Sequence, residues 1–386
     1  MRAGTSPAVD ARMNHDDWIA LAQLAALGAA LAAGPLLWLR LRSTAATPTA
    51  RLRALTVLTL FLTFDLIIFG AFTRLTDSGL GCPDWPGCYG QGSPIGAHAD
   101  IAAAQAAMPT GPVTHGKAWV EMIHRYLASA VGVLILVLCV SSWRLARKTQ
   151  AAAKLVSPWW STLTLFWVCM QGAFGALTVT MKLFPAIVTL HLLGGMGLLM
   201  LLAWQAQAYE PKPLPLSPGL RRAAWGLLVL LIVQVALGAW VSTNYAVLAC
   251  SEFPSCQAGQ WWPAMDFTHG FTIWRELGVG ADGGWLPFEA LTAIHMTHRL
   301  GALLVFTLLL LFAWALWRAP QPSGRLWAQR LLWAAAWQFV SGLSNVVLDW
   351  PIVAALAHTA GAAMLLMIMS FLLAQICQGR AALPAA

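Results

Sequence analysis

Nine runs of apolar residues, each long enough to cross a bilayer, constrain this chain more than any other feature of its sequence. They cover roughly residues 18–40, 54–73, 119–141, 159–180, 186–208, 223–243, 290–317, 326–348 and 352–377. Spanning the hydrocarbon takes about 20 residues of helix. Backbone N–H and C=O groups find no water there, so each run must satisfy its own hydrogen bonds as a helix. With 59% apolar and only 10% charged residues, an ordinary soluble domain is excluded. The expected fold class is an all-α polytopic membrane protein.

The formal charge of +8 has a topological explanation. Basic residues gather in alternate loops: Arg40, Arg42, Arg51 and Arg53; Arg144, Arg147, Lys148 and Lys154; Lys212, Arg221 and Arg222; Arg318, Arg325 and Arg330. This is the positive-inside pattern, and it gives no reason to invoke nucleic acid. The partner it implies is membrane lipid. The long loops 74–118 and 244–289 are then expected to face outward, and the C-terminus with Arg380 to face the cytoplasm. The first run is preceded by Asp10, Asp16 and Asp17 and ends in basic residues, the reverse of a signal peptide. It reads as an N-out anchor helix outside the main architecture.

The other eight runs divide into two copies of a four-helix unit. Gly70 closes a helix and is followed by Cys82-Pro83-Asp84-Trp85-Pro86-Gly87-Cys88. Gly238 is followed by Cys250-Ser251-Glu252-Phe253-Pro254-Ser255-Cys256, and both the glycines and the cysteines lie 168 positions apart. Each loop leads to a His-Arg pair, His124-Arg125 and His298-Arg299, and the last helix of each copy opens on His191 or His358. The organisation expected is an N-terminal anchor and linker over 1–50, a first four-helix repeat over 51–212 and a second over 213–386. An even number of spans per copy makes the two bundles parallel, related by an axis along the membrane normal.

Four histidines inside apolar helices need a purpose. Each lies five to nine residues into a helix that starts at the outer face, which puts all four in a band about 7–14 Å deep. A shared depth is what two ligands on opposite faces of one macrocycle require, and imidazole pairs between bundle helices suit heme iron. Zinc is the rival metal, but it favours more clustered ligands, often with Cys or carboxylate. Arg125 and Arg299, next to candidate ligands near the outer edge, are expected to pair with heme propionates; snorkelling anchors are the alternative. Cys82 with Cys88 and Cys250 with Cys256 can each close a short disulfide loop in an oxidising compartment. Whether such bridges are structural or redox-active is left open by their spacing.

Together these residues resemble the heme A synthase family, in its cysteine-pair-containing bacterial type. The resemblance runs over about residues 54–377 and is carried by Gly70-Ala71-Phe72-Thr73-Arg74-Leu75-Thr76-Asp77-Ser78-Gly79-Leu80, Cys82-Pro83-Asp84-Trp85-Pro86 and Glu121-Met122-Ile123-His124-Arg125. It implies oxidation of the C8 methyl group of heme O to a formyl group in a bacterial inner membrane, giving the heme A of cytochrome oxidases. It also implies His124 and His191 as ligands of the substrate heme, His298 and His358 as ligands of a resident heme b, and Glu121 as a functional glutamate. Heme O synthase, cytochrome oxidase assembly and an electron acceptor are the implied partners. The anchor helix at 18–40 departs from the family's eight-helix core.

The duplication breaks at one informative point. Aligning His124 with His298 sets Glu121 opposite His295, so only the first copy carries a carboxylate one turn from its histidine. A catalytic proton-exchanging role is expected of Glu121; a structural bond to Arg125 or to a loop amide is the alternative. The rival function is a diheme b-type cytochrome that passes electrons without altering its heme. It explains the histidines equally well but not this asymmetry.

Overall fold

The computed structural model describes residues 15–42, 47–148, 156–280 and 282–381. Asp10 and Lys154 lie outside the described residues, as does the side chain of Arg380. All regular structure among them is helical apart from isolated bridges in the loops. The helices are α1 (His15–Arg42), α2 (Pro48–Leu75), α3 (His98–Ala107), α4 (His115–Lys148), α5 (Pro158–Thr180), α6 (Pro185–Ala208), α7 (Pro218–Thr243), α8 (Phe267–Gly270), α9 (Phe288–Trp317), α10 (Pro322–Val347) and α11 (Ile352–Ala381). Five of them place a proline in their first turn, where its missing N–H is no loss and its fixed φ suits the helix. Thr47 and Ser217 add side-chain caps, accepting from Ala50 N at 3.2 Å and Leu220 N at 3.3 Å.

The nine apolar runs correspond to nine long helices, and eight of these are long and apolar enough to cross a membrane. The protein is a multi-pass membrane protein. The exception, α10, has the length but a more polar composition, with Gln329, Arg330, Gln338, Ser341, Ser344 and Asn345 along it. The short helices α3 and α8 sit in the two long loops and have no counterpart in the apolar pattern. Large apolar side chains such as Leu303, Trp333 and Val340 are exposed on the bundle, as a lipid-facing surface requires.

Two rings of four helices make the body. Helix α2 packs on α4, α4 on α5, α5 on α6 and α6 on α2; in the same way α7 packs on α9, α9 on α10, α10 on α11 and α11 on α7. The rings meet where α6 and α2 pack on α11 and α6 on α7. Polar residues facing this core bond along their own helix. The hydroxyls of Thr56, Thr59 and Thr63 donate to the carbonyls four residues back at 2.7–2.9 Å, so none is left unpaired in an apolar interior.

Three contacts between the rings join residues 168 positions apart, among them Gln375 Nε2 donating to Gln207 Oε1 at 3.4 Å. Arg74 Nη2 donates to the Ser242 carbonyl at 2.6 Å, and Tyr245 Oη donates to Asp77 Oδ1 at 2.7 Å.

Helix α1 is more than an anchor set apart from the body. Its buried stripe, Ala20, Leu24, Gly28 and Ala32, repeats every four residues and so forms one narrow face. That face lies on α4, so close that a Cβ on Gly28 would stand 2.6 Å from Ser129 Cβ. Gln23 Oε1 also accepts from Gly92 N at 3.0 Å, which ties α1 to the first outer loop. Small residues permit this approach without a hydrophobic driving force in lipid.

Candidate functional site

Each of the four helix histidines is seated against a glycine on the neighbouring helix. A Cβ added to Gly70 on α2 would come 3.0 Å from His124 on α4, and one on Gly238 of α7 would come 3.0 Å from His298 on α9. Gly342 on α10 faces His358 on α11 at the same 3.0 Å, and Gly175 on α5 faces His191 on α6 at 3.5 Å. The glycines leave room for an imidazole to stand upright between two helices. Gly70 and Gly238 were singled out in the sequence as helix-closing residues, but α2 and α7 run past them to Leu75 and Thr243, so their role is close approach to an imidazole and not helix termination; Gly175 and Gly342 were not singled out.

In the second ring the two imidazoles are 6.5 Å apart between ring centres and nearly perpendicular, at 85°. Metal–nitrogen bonds of about 2 Å on each side, plus about 1.2 Å from nitrogen to ring centre, require a separation of about 6.4 Å. The pair therefore fits one iron between them. The Nδ1 atoms are the engaged ones, His298 with Gln234 Nε2 at 2.9 Å and His358 with Ser341 Oγ at 3.2 Å. That leaves Nε2 on each ring for a metal, and Ser341 Oγ can accept the Nδ1 proton of His358 as an outer partner of a ligating histidine does. In the first ring His191 Nδ1 is buried and has no hydrogen-bond partner. Among the described residues no three His, Cys, Asp or Glu side chains gather as a metal site. Isolated imidazole pairs suit an iron whose other four ligands come from a macrocycle.

Both outer loops are closed by disulfides, Cys82–Cys88 and Cys250–Cys256. The arginines that follow His124 and His298 hold these loops. Arg125 Nη1 donates to the carbonyls of Pro86 and Gly87 at 3.0 and 2.5 Å, and Nη2 donates to that of Asp84 at 3.1 Å. Arg299 repeats the arrangement, with Nη1 on Glu252 and Ser255 carbonyls at 2.8 and 2.9 Å and Nη2 on Cys250 at 3.0 Å. In this structure both arginines clamp their loops through the carbonyls named, with Arg299 Nη2 making one such bond. The matched acids complete the loops: Asp84 accepts from Tyr89 N and Gly90 N at 2.6 and 2.8 Å, and Glu252 from Gly259 N and Ser255 Oγ at 2.8 Å each. Those donors hold the Glu252 carboxyl below its ordinary range.

Glu121 is buried one turn above His124. Its Oε2 accepts from Cys82 N at 2.8 Å, and its Oε1 pairs with the Arg125 guanidinium. The structural bonds weighed as the alternative role are thus both formed. In the second ring His295 occupies the corresponding place, with Nδ1 3.0 Å from the Ala246 carbonyl and 3.4 Å from Cys250 N. The two halves therefore place different chemistry beside the first cysteine of the loop, a carboxylate paired with Arg125 in one and an imidazole in the other.

The profile of the COX15-CtaA family, described as cytochrome oxidase assembly protein, matches residues 53–370. The chain belongs to this family. Among its curated relatives, the heme A synthase of Shewanella oneidensis is 39% identical over 314 residues, covering 80% of this chain and 92% of that protein. The heme A synthase of Alkalihalophilus pseudofirmus is 26% identical over 331 residues, covering 83% and 96%, and that of Bacillus pumilus 25% over 320 residues, covering 80% and 89%. The COX15-CtaA match begins just inside α2, so α1 lies outside it, while both histidine pairs and both disulfide loops lie within it.

Proposed function

We propose that the protein is a heme A synthase, oxidising the C8 methyl group of heme O to a formyl group for use by cytochrome oxidases. The observation that carries this reading is the set of four glycine-seated histidines, two per ring, inside a COX15-CtaA chain. In this reading the first ring, residues 51–212, takes heme O between His124 and His191. The second, residues 213–386, holds heme b between His298 and His358, whose spacing suits one iron. Heme b supplies a one-electron acceptor beside the substrate. Assigning the reacting heme to the first ring rests on Glu121, a carboxylate that the second ring replaces by His295.

The chain's own contribution is placement. The glycines set the imidazoles, and the disulfide loops cover the outer ends of both rings. The Glu121–Arg125 pair locks the first loop to the helix that bears His124. The loops are assigned to the periplasm, where bridges such as Cys82–Cys88 persist, and the C-terminus to the cytoplasm. Heme O synthase upstream and an electron acceptor downstream are the further partners proposed.

The deciding experiment is co-expression with a heme O source, followed by mass analysis of the extracted hemes. A formyl product dependent on this chain is expected. Two hemes bound with heme O left unaltered would instead identify a diheme electron carrier.

A further inference from the structure

Three of the four histidine seats share a second feature. Four residues before the seating glycine stands a glutamine, and three residues after the histidine stands another glycine: Gln171 with Gly194, Gln234 with Gly301, and Gln338 with Gly361. In each pair the glutamine amide fills the notch, since a Cβ on Gly194, Gly301 or Gly361 would overlap it. The glutamine thereby stands on the helix facing the imidazole, and in the Gln234 seat the amide meets the ring directly. Gln234 Nε2 stands 2.9 Å from His298 Nδ1 and donates to the His298 carbonyl at 2.9 Å. Buried Oε1 atoms of Gln234 and Gln338, and Nδ1 of His191, are without partners in the protein. An iron ligand bound through Nε2 carries its proton on Nδ1 and needs an acceptor there, and a turned amide provides one.

His124 is the exception. The glutamine position on α2 is Leu66 and the notch position on α4 is Leu127, and the seat keeps only Gly70. Outer hydrogen bonds to ligating histidines typically change metal affinity 10–100-fold. We infer that His124 is the exchangeable ligand of the heme bound in the first ring, its Leu66–Leu127 seat leaving its bond to iron weaker than those of His191, His298 and His358. Release of His124 opens one face of that heme to a small ligand, on the side where Glu121 stands one turn away on the same helix. The inference rests on the reading of the histidine pairs as heme sites.

The test uses the purified full chain loaded with heme O and heme b, with cyanide as the probe ligand for the ferric hemes. A His298→Ala variant, lacking the second-ring heme, assigns the optical signals. Cyanide is expected to bind the first-ring heme at least about 10-fold faster than the second. Leu66→Gln with Leu127→Gly should slow that binding about 10-fold or more, and Gln234→Leu should speed cyanide entry at the second ring. Where the double variant does not accumulate, Leu66→Gln alone takes its place, with the same slowing expected at the first ring. Both hemes present at normal content, with equal cyanide rates that these substitutions leave unmoved, would overturn the inference while leaving the functional reading intact. A wild-type protein that binds no heme, or whose heme content ignores His298→Ala, would overturn the functional reading and the inference with it.

Discussion

The seating glycines allow the heme-site reading to be tested by adding one carbon atom at a time. Alanine at Gly70, Gly238 or Gly342 would place Cβ 3.0 Å from an imidazole atom, whereas at Gly175 the nearest atom would be 3.5 Å away. Ordinary carbon contacts settle at about 3.5–4.0 Å, so the first three substitutions push a ring by about 0.5 Å and the fourth scarcely moves one. In the second ring that shift falls on a pair 6.5 Å apart, with little slack around an iron. Overpacking of this kind costs about 1–3 kcal/mol, or about 5- to 150-fold in heme retention. The same exchange favours the helix by about 0.8–1 kcal/mol, which offsets part of the crowding in the apoprotein, so its thermal stability should change little while heme affinity falls. Loss of heme without a matching loss of apoprotein stability separates ligand displacement from misfolding. The assay is heme per protein by pyridine hemochrome, with the low-spin spectrum, after detergent extraction and dilution. Gly175→Ala serves as the internal control. If it loses as much heme as Gly238→Ala and Gly342→Ala, or if those two keep full heme content and the wild-type spectrum, the seats do not position iron ligands.

Three further outcomes are expected. Glu121→Gln removes a charge from a buried ion pair while keeping an acceptor for Cys82 N. It should keep heme b and bound heme O but yield little heme A, while His295→Gln spares most activity; near-normal heme A from Glu121→Gln would remove the glutamate from the chemistry. In the second outer loop, Cys250 and Cys256 should label with an external thiol reagent only after reduction. Because hydrogen bonding lowers the Glu252 carboxyl, its hold on the loop is complete above the ordinary glutamate range and is lost as pH falls through the lowered value. Reduction of that bridge by a phosphine, followed by mass shift, should therefore accelerate only as pH falls below the ordinary glutamate range, and acceleration already above that range would contradict this.

Several features were legible in sequence for a local reason. A helix in lipid is announced by its own length and apolarity, so the nine runs needed no tertiary information. The disulfide loops were readable because six-residue separations bring their own ends together. Helix α10 shows where this logic weakens: packed between α9 and α11, it tolerates polar residues such as Gln338 and Asn345 that lower its apolar signal.

The histidines, their repetition and the Glu121–His295 asymmetry were determined by sequence alone, because they are matters of residue type and spacing along one chain. Tertiary structure decided what each side chain meets. That Arg125 and Arg299 clamp their loops became visible only with the carbonyls of Pro86, Gly87, Glu252 and Ser255 around them. The glutamine–glycine notches join residues 23 to 67 positions apart, on helices whose pairing no local periodicity specifies. The same holds for α1, whose small-residue stripe has meaning only once it lies against Ser129 of α4. A hydrogen bond or a notch depends on which two helix faces meet, and that is settled by the packing of all the helices together.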